Sequence, residues 1–340
     1  MRIALVSDAW QPQVNGVVRT LTTTVAELCQ LGHEVETITP DGFRTVACPS
    51  YPEIRLALGS GREVGRRLAG FAPDAIHIAT EGPLGWAARR WCMRAGLPFT
   101  TSFHTRFPDY LAVRTGLPAG IFWATLRRFH AAADRVFVAT PTLATELHGR
   151  GLTRLHRWGR GVDRALFRPD GPRLIEAQDL PGPVMLHVGR VAPEKNIEAF
   201  LTADLPGSKL VVGEGPALAG LRDRYPAARF MGALHGERLA AAYRTADVLV
   251  FPSLTDTFGL VMAEAVASGT PVAAFPVPGP LDVIEPGAGV LDHDLVTAVR
   301  GALALDRDGV AASGRRFDWS RCTAEFLGGL TRIARTPVPA

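Results

Sequence analysis

Lysine is nearly missing from this chain: Lys195 and Lys209 are the only two, against 35 arginines and a formal net charge of +4. Two accounts of that imbalance stand at this stage, a biased genome or an anionic surface or substrate, and the positions of the cations must decide between them. Cysteine is scarce as well. Cys29, Cys48, Cys92 and Cys322 form no Cys-x-x-Cys pair, which excludes a zinc ribbon or a disulfide scaffold and predicts reduced thiols in a cytosolic protein. No uninterrupted apolar stretch reaches the roughly 18 residues of a membrane span. The apolar run within residues 1–8 is too short for the core of a secretory signal, so a two-lobed exported solute-binding protein is not the expectation. Residues 7–15 contain no glycine, so the first strand is not followed by the Gly-x-Gly-x-x-Gly turn of a dinucleotide oxidoreductase. A placed carboxylate pair for a metal is also missing, because Asp292-His293-Asp294 lies near the C-terminus and reads as a turn. No metal or other cofactor is expected, and no nucleic-acid partner.

What is present points to two domains. At 340 residues the chain exceeds the about 250–300 at which one core stops growing. Its 47% hydrophobic and 21% charged residues are those of a folding chain rather than a disordered one. Short apolar runs at 3–7, 34–39, 75–79, 98–101 and 135–139 read as buried parallel strands, with helical stretches at 17–31 and 83–95 between them. After Phe167-Arg168-Pro169-Asp170-Gly171-Pro172, a segment of linker composition, the rhythm restarts. Strands are predicted at 184–188, 209–212, 248–251 and 272–275, with helices opening at 195, 238 and 259. The expected architecture is α/β, two doubly wound Rossmann-like domains facing across a cleft. The expected divisions are residues 1–167, residues 168–315, and a C-terminal helix and tail, 316–340, packing back on the first domain.

Ligands of open parallel sheets sit beyond the carboxyl ends of the strands, and two strand-end loops carry chemistry. In Phe251-Pro252-Ser253-Leu254-Thr255-Asp256-Thr257-Phe258-Gly259-Leu260 a strand ends, Asp256 is presented, and a helix begins near Phe258 and Gly259. Unpaired N–H groups at a helix start suit a phosphate, and Gly259 lets a ligand approach the main chain. Glu264 lies about one and a half turns further on, among Leu260, Val261, Ala265 and Val266. An acid there needs donors, and sugar hydroxyls would supply them. Read alone, Asp256 is also a candidate helix N-cap and Glu264 a candidate solvated helix residue. The second loop, Val188-Gly189-Arg190-Val191-Ala192-Pro193-Glu194-Lys195-Asn196, sets Arg190 and Lys195 on one strand-to-helix turn, where both can reach one diphosphate. That one of only two lysines stands here argues against genome bias as its explanation.

Gly-Arg-(four residues)-Lys, then Pro-Ser and an acid-(seven residues)-Glu pair enclosing Phe-Gly, resembles the family-four retaining glycosyltransferases of the GT-B fold. The resemblance covers essentially the whole chain. Asn15-Gly16-Val17-Val18-Arg19 is similar to the family's first glycine loop, and Ser102-Phe103-His104-Thr105 to its strand-end histidine. It implies that Arg190 and Lys195 hold the donor diphosphate, that Asn15 and Gly16 abut it, and that Glu264 takes the ribose hydroxyls. Asp256 with Phe258, Gly259 and Leu260 would take the sugar and distal phosphate, and His104 would reach the transferred sugar. Taken without the resemblance, His104 is as well a packed or capping residue. Gly213-Glu214-Gly215-Pro216 and Met231-Gly232 stand where this family encloses the base. One departure matters: the first acid is usually Glu, and Asp256 is one methylene shorter. The implied reaction retains anomeric configuration by same-face attack, with the departing phosphate accepting the acceptor's proton. Fixed cations would make a metal unnecessary.

Three N-terminal segments mix arginine with apolar residues at near-helical spacing: Gly61–Phe71 with Arg62, Arg66 and Arg67, residues 86–94 with Arg89, Arg90 and Arg94, and residues 121–128 with Arg127 and Arg128. They are ordinary amphipathic helices or a docking face for an anionic membrane. The Thr-Asp-Thr-Phe-Gly-Leu and His-Thr-Arg-Phe-Pro-Asp-Tyr runs are similar to bacterial enzymes acting on diacylglycerol or related lipids. The implied partners are a nucleotide-sugar donor, UDP-glucose or UDP-glucuronate, a diacylglycerol acceptor and an anionic membrane surface, at the inner face of the membrane. Mannosyl transfer from GDP-mannose, sulfoquinovosyl transfer and nucleotide-sugar epimerisation are the alternatives. Glu81, Arg106 and Tyr110 are the acceptor-side candidates.

Overall fold

The run Ile3-Ala4-Leu5-Val6 is fully buried, as a strand inside a parallel sheet must be when both faces are covered. The computed structural model describes residues 1–13, 15–48 and 51–334, with the side chains at 51–53, 110, 113 and 114 outside that description. The chain divides into two units, one made of residues 1–159 and 319–340, the other of residues 160–318.

The first unit runs β1 (Arg2–Val6), α1 (Gly16–Gln30), β2 (Glu34–Ile38), a hairpin of β3 (Thr45–Cys48) and β4 (Tyr51–Ala57), α2 (Gly61–Phe71), β5 (Ala75–Ile78), α3 (Pro83–Ala95), β6 (Thr100–Phe103), α4 (Phe107–Thr115), α5 (Ala119–His130), β7 (Arg135–Val138), α6 (Pro141–Gly149) and β8 (Leu155–Arg157). Its sheet has the order β2-β1-β5-β6-β7-β8, parallel throughout. Two of its helices, α1 and α6, start where the sequence supplies a side-chain cap. Asn15 accepts from the Val17 and Val18 amides at the head of α1, and Thr140 with Pro141 opens α6.

The second unit runs β9 (Val184–Val188), α7 (Ile197–Thr202), β10 (Ser208–Val212), α8 (Leu218–Arg224), β11 (Arg229–Phe230), α9 (Gly236–Thr245), β12 (Val248–Phe251), α10 (Leu260–Ala267), β13 (Val272–Ala274), α11 (Pro280–Val283), β14 (Gly289–Leu291), α12 (Leu295–Ala302) and α13 (Arg307–Ser313). The sheet order is β11-β10-β9-β12-β13-β14, all parallel. Asp294 caps α12 through the Val296 and Thr297 amides, so Asp292-His293-Asp294 is a helix start.

The last helix, α14 (Trp319–Gly329), belongs to the first unit. Phe326 is fully buried among the rings of His77, Phe137 and Trp158, and losing a ring so placed costs about 3–5 kcal/mol. The boundary at residue 159 rather than 167 has a packing cause. β8 is the edge of the first sheet, whereas Phe167 is buried edge-on against Tyr243 at 5.8 Å. Strand β6 begins at Thr100, not at Pro98, since proline has no N–H to give to a ladder. The hairpin β3–β4 and the edge strands β8, β11 and β14 were not anticipated from the sequence. Strands β3, β8, β11 and β14 are short, and their partly exposed faces break the apolar run that marks a central strand.

Candidate active site

Each sheet changes direction of strand order once, between β1 and β5 in the first unit and between β9 and β12 in the second. Loops leaving such a pair diverge, which is where an open α/β sheet takes its ligands.

In the second unit the loop after β9 is clamped in place. Gly213 has φ +143, and a Cβ on it would lie 1.8 Å from the Gly189 carbonyl oxygen; only glycine allows the loops after β9 and β10 to abut. Val191 N–H donates to the Glu214 carbonyl at 2.8 Å, and Gly213 N–H to the Gly232 carbonyl at 2.8 Å. Half-buried Arg190 therefore rises from a braced backbone. A single 3-10 turn over Pro193–Lys195 follows, then Asn196 in the left-handed region at φ +52. The Asn196 side-chain amide donates to the Pro252 carbonyl at 3.1 Å, joining this loop to the one after β12.

Across that joint the Lys195 ammonium donates to Asp256 Oδ1 at 2.6 Å, with the two side chains 21% and 18% exposed. Burial pushes the Asp256 carboxyl up, but the Lys195 charge and hydrogen bond, with Ser253 and His187, outweigh it and hold the group below its ordinary value. Under the same loops lies His187, buried in β9 with Nδ1 3.3 Å from the Val250 carbonyl. Burial chiefly, with Lys195 adding to it, drives its imidazole down to about 4, so the ring is neutral at physiological pH.

Asp256 does not cap α10; Gly259 does, at φ +83 and without a side-chain cap. Glu264 is not on a solvated face either, for it is 2% exposed. Its Oε2 accepts the Tyr243 hydroxyl at 2.8 Å. Phe258 is buried edge-on to Phe317 at 6.2 Å, so its ring is core, while Leu260 is half-buried. Gly232 stands beyond β11 at φ +71.

In the first unit Asp8 follows β1 and is buried. It accepts from the Leu84 amide at 2.9 Å, the Gly85 amide at 3.2 Å and the Thr80 hydroxyl at 3.0 Å, which ties the loop after β1 to the head of α3. Burial is the largest influence and raises its carboxyl to about 6, against those three donors. Asn15 spends its side-chain oxygen on the α1 cap, 3.0 Å from each of the Val17 and Val18 amides, and Gly16 is exposed beside it. His104 is 7% exposed and stands edge-on to Trp158 at 5.7 Å. Glu81 accepts from His130 Nε2 at 3.1 Å, and the His130 Nδ1 faces the Thr101 hydroxyl at 2.8 Å. Arg106 is held by Glu146 on α6 and lies 3.6 Å from Asp109, which makes it a tie between α4 and α6. The side chain of Tyr110 lies outside the described residues.

The arginine-rich segments split in role. Arg67 pairs with Glu63 and covers the Phe43 ring, and Arg89 donates to the carbonyls of Phe129 and Arg128, so both are internal ties. Arg62, Arg90, Arg94, Arg127 and Arg128 are exposed. Along α4, α5 and their connection, Phe107, Leu111, Leu117 and Ile121 are 36–55% exposed. Among the described residues no helix is long and apolar enough to cross a membrane.

Asp8, His187, Tyr243 and His130 were missed from the sequence. Asp8 follows the first strand directly, so the strand-end rule could have found it; nothing local marks the other three.

Comparison with known proteins gives two family matches. Residues 14–166 match the model for Glycosyltransferase Family 4, and residues 182–305 that for Glycosyl transferases group 1. The chain is 33% identical to a GDP-mannose-dependent alpha-mannosyltransferase of Mycobacterium tuberculosis over 96% of each chain. It is 30% identical to a sulfoquinovosyl transferase of Arabidopsis thaliana over 84% of this chain and 62% of that one. It is 28% identical to an alpha-monoglucosyldiacylglycerol synthase of Streptococcus pneumoniae, over 91% and 79%. Among solved structures it is similar to sucrose-phosphate synthase from Thermosynechococcus elongatus, with TM-score 0.76, 23% identity and coverage of 96% and 97%.

Proposed function

The chain belongs to glycosyltransferase family 4 and has the GT-B fold, and from that premise we propose that it moves mannose from GDP-mannose to a lipid acceptor, without a metal and with retention of configuration. Sugar transfer itself follows from the family. The observation that carries the proposed chemistry is the pairing of Lys195 with Asp256 across the switch point of the second sheet. In the transition state the distal phosphate gains negative charge and the sugar positive charge. A fixed ammonium beside a carboxylate, with Arg190 on the same braced loop, supplies both signs where they develop. The head of α10 adds unpaired N–H groups for the phosphate, and buried Glu264 would take the ribose hydroxyls.

The donor reading departs from the UDP-sugar expected from sequence motifs. Its support is the likeness to the mycobacterial GDP-mannose-dependent enzyme, which spans nearly all of both chains. A second reading, UDP-glucose with diacylglycerol, is supported by the pneumococcal relative at lower identity. For the lipid acceptor the support is the apolar face of α4 and α5 beside exposed Arg127 and Arg128, because an amphipathic surface of that kind gains from apolar insertion and from about 1 kcal/mol per basic residue near anionic lipid.

Incubation with GDP-mannose, UDP-glucose, UDP-glucuronate or UDP-sulfoquinovose and a lipid extract separates the readings. An α-mannolipid made from GDP-mannose alone is expected; a glucolipid with no mannosyl product overturns the donor assignment. Flotation with anionic vesicles at low salt should carry the protein, and Leu117→Ser with Ile121→Ser should weaken that binding. No binding to any vesicle would favour a soluble acceptor.

A further inference from the structure

We propose that Tyr243 is a positioning residue for the nucleotide: its hydroxyl sets the carboxylate of Glu264 at the angle that receives the ribose hydroxyls. The inference rests on the reading of Glu264 as the ribose contact. A carboxylate that is 2% exposed must take its hydrogen bonds from fixed donors. Here the Tyr243 hydroxyl, 21 residues earlier in the chain, reaches Oε2 at 2.8 Å.

The phenol is itself immobilised from several sides. Tyr243 is fully buried, and the ring of Phe167, also buried, stands edge-on to it at 5.8 Å. The Tyr243 carbonyl accepts the Thr270 hydroxyl at 2.6 Å, and Thr270 Oγ1 in turn accepts from Arg307 at 3.3 Å. The next residue, Arg244, donates to the Pro172 carbonyl at 2.8 Å and presses on Gly171. The segment from Phe167 to Pro172 is thus strapped to α9, and Tyr243 carries that rigidity across to α10. A hydroxyl held by its ring on one side leaves Glu264 one preferred orientation, in the manner of the outer partners that orient metal ligands or catalytic groups.

Tyr243→Phe keeps the ring and its contact with Phe167 and deletes only the donor. The test is affinity by calorimetry for GDP and UDP and for their 2′,3′-dideoxy forms, with the tighter-binding base carrying the comparison. Wild type should prefer the ribose form. In Tyr243→Phe that preference should fall by about tenfold, the worth of one hydrogen bond to a charged group, while affinity for the dideoxy form stays unchanged. Glu264→Gln is the control for the underlying reading. If Glu264→Gln keeps the full preference, or if neither nucleotide binds wild type, Glu264 is not the ribose contact and the inference falls with it. If Glu264→Gln loses the preference and Tyr243→Phe keeps it, the role of Glu264 stands and that of Tyr243 is overturned. A loss of thermal stability in Tyr243→Phe with the preference intact is the signature of a purely structural hydroxyl and also overturns it. Should Tyr243→Phe fail to fold, Phe167→Leu, which loosens the ring without touching the hydroxyl, must lower the preference in the same direction; an unchanged preference there counts against the proposal.

Discussion

Both switch points are bridged by an aspartate, and the two differ in what answers the charge. In the first unit Asp8 reaches from the loop after β1 to Thr80 after β5, and its oxygens are taken up by that hydroxyl and two amides at the head of α3. Burial lifts it to about 6. In the second unit Asp256 reaches from the loop after β12 to Lys195 after β9, and that ammonium, against burial, holds it down. The same topological position has become a sealed staple in one unit and a part-exposed charge pair in the other. Burial with neutral donors marks structure; a part-exposed cation held by a carboxylate marks a place where an anion can compete.

The largest effect should come from the charge pair. Lys195→Ala or Arg190→Ala should lower turnover about 10²–10³-fold, as expected for lost electrostatic stabilisation of a leaving diphosphate, with circular dichroism unchanged. Lys195→Ala should also melt lower, because it leaves the Asp256 carboxylate without its cation. Normal turnover in both variants would erase the functional half of the comparison.

The staple should show itself in stability instead. Because the folded Asp8 pKa lies above the usual 3.8, the folded state binds the proton more tightly than the unfolded chain. Its contribution therefore declines as pH rises from about 4 to about 6, by about 3 kcal/mol in all. His77, buried between Thr100 and Ser102 and driven by burial down to about 3, acts in the opposite sense, its share fading as pH drops below its ordinary 6.5. Urea unfolding across pH 4–8 should accordingly be read as the difference between wild type and Asp8→Asn, which should become more favourable to the variant with rising pH. A flat difference curve would mean that Asp8 is not the proton acceptor described.

The smallest effect expected is none. If Lys195 and Arg190 neutralise the diphosphate by themselves, excess EDTA should leave turnover unchanged. A complete loss restored by Mg²⁺ would put a metal at the charged switch point.

Much of the site was legible as types and spacings. Gly189, Arg190 and Lys195 share one loop, and Asp256, Gly259 and Glu264 another, so short-range pattern found both. The partners were not legible. Lys195 meets Asp256 across 61 residues, and Leu84 meets Asp8 across 76. Tyr243 lies in an alanine-rich helix where a tyrosine reads as core. Arg106, a candidate for the acceptor side by its place in the His-Thr-Arg-Phe run, turned out to be committed to Glu146.

Sequence alone determined the alternation of buried strands and helices, and with it the two doubly wound sheets, because the apolar run of a strand and the period of a helix are both written within a dozen residues. It also located the loops at strand ends. The return of a C-terminal helix to the first unit was expected from the sequence; tertiary structure alone decided where the units divide, that Phe326 is the ring this helix buries, and which acid meets a cation. Those outcomes hang on strand order: β9 lies beside β12 only after β10 and β11 have gone to the other side. No local preference encodes which of several strand ends will be neighbours, so the charge at each switch point is set when the sheet assembles.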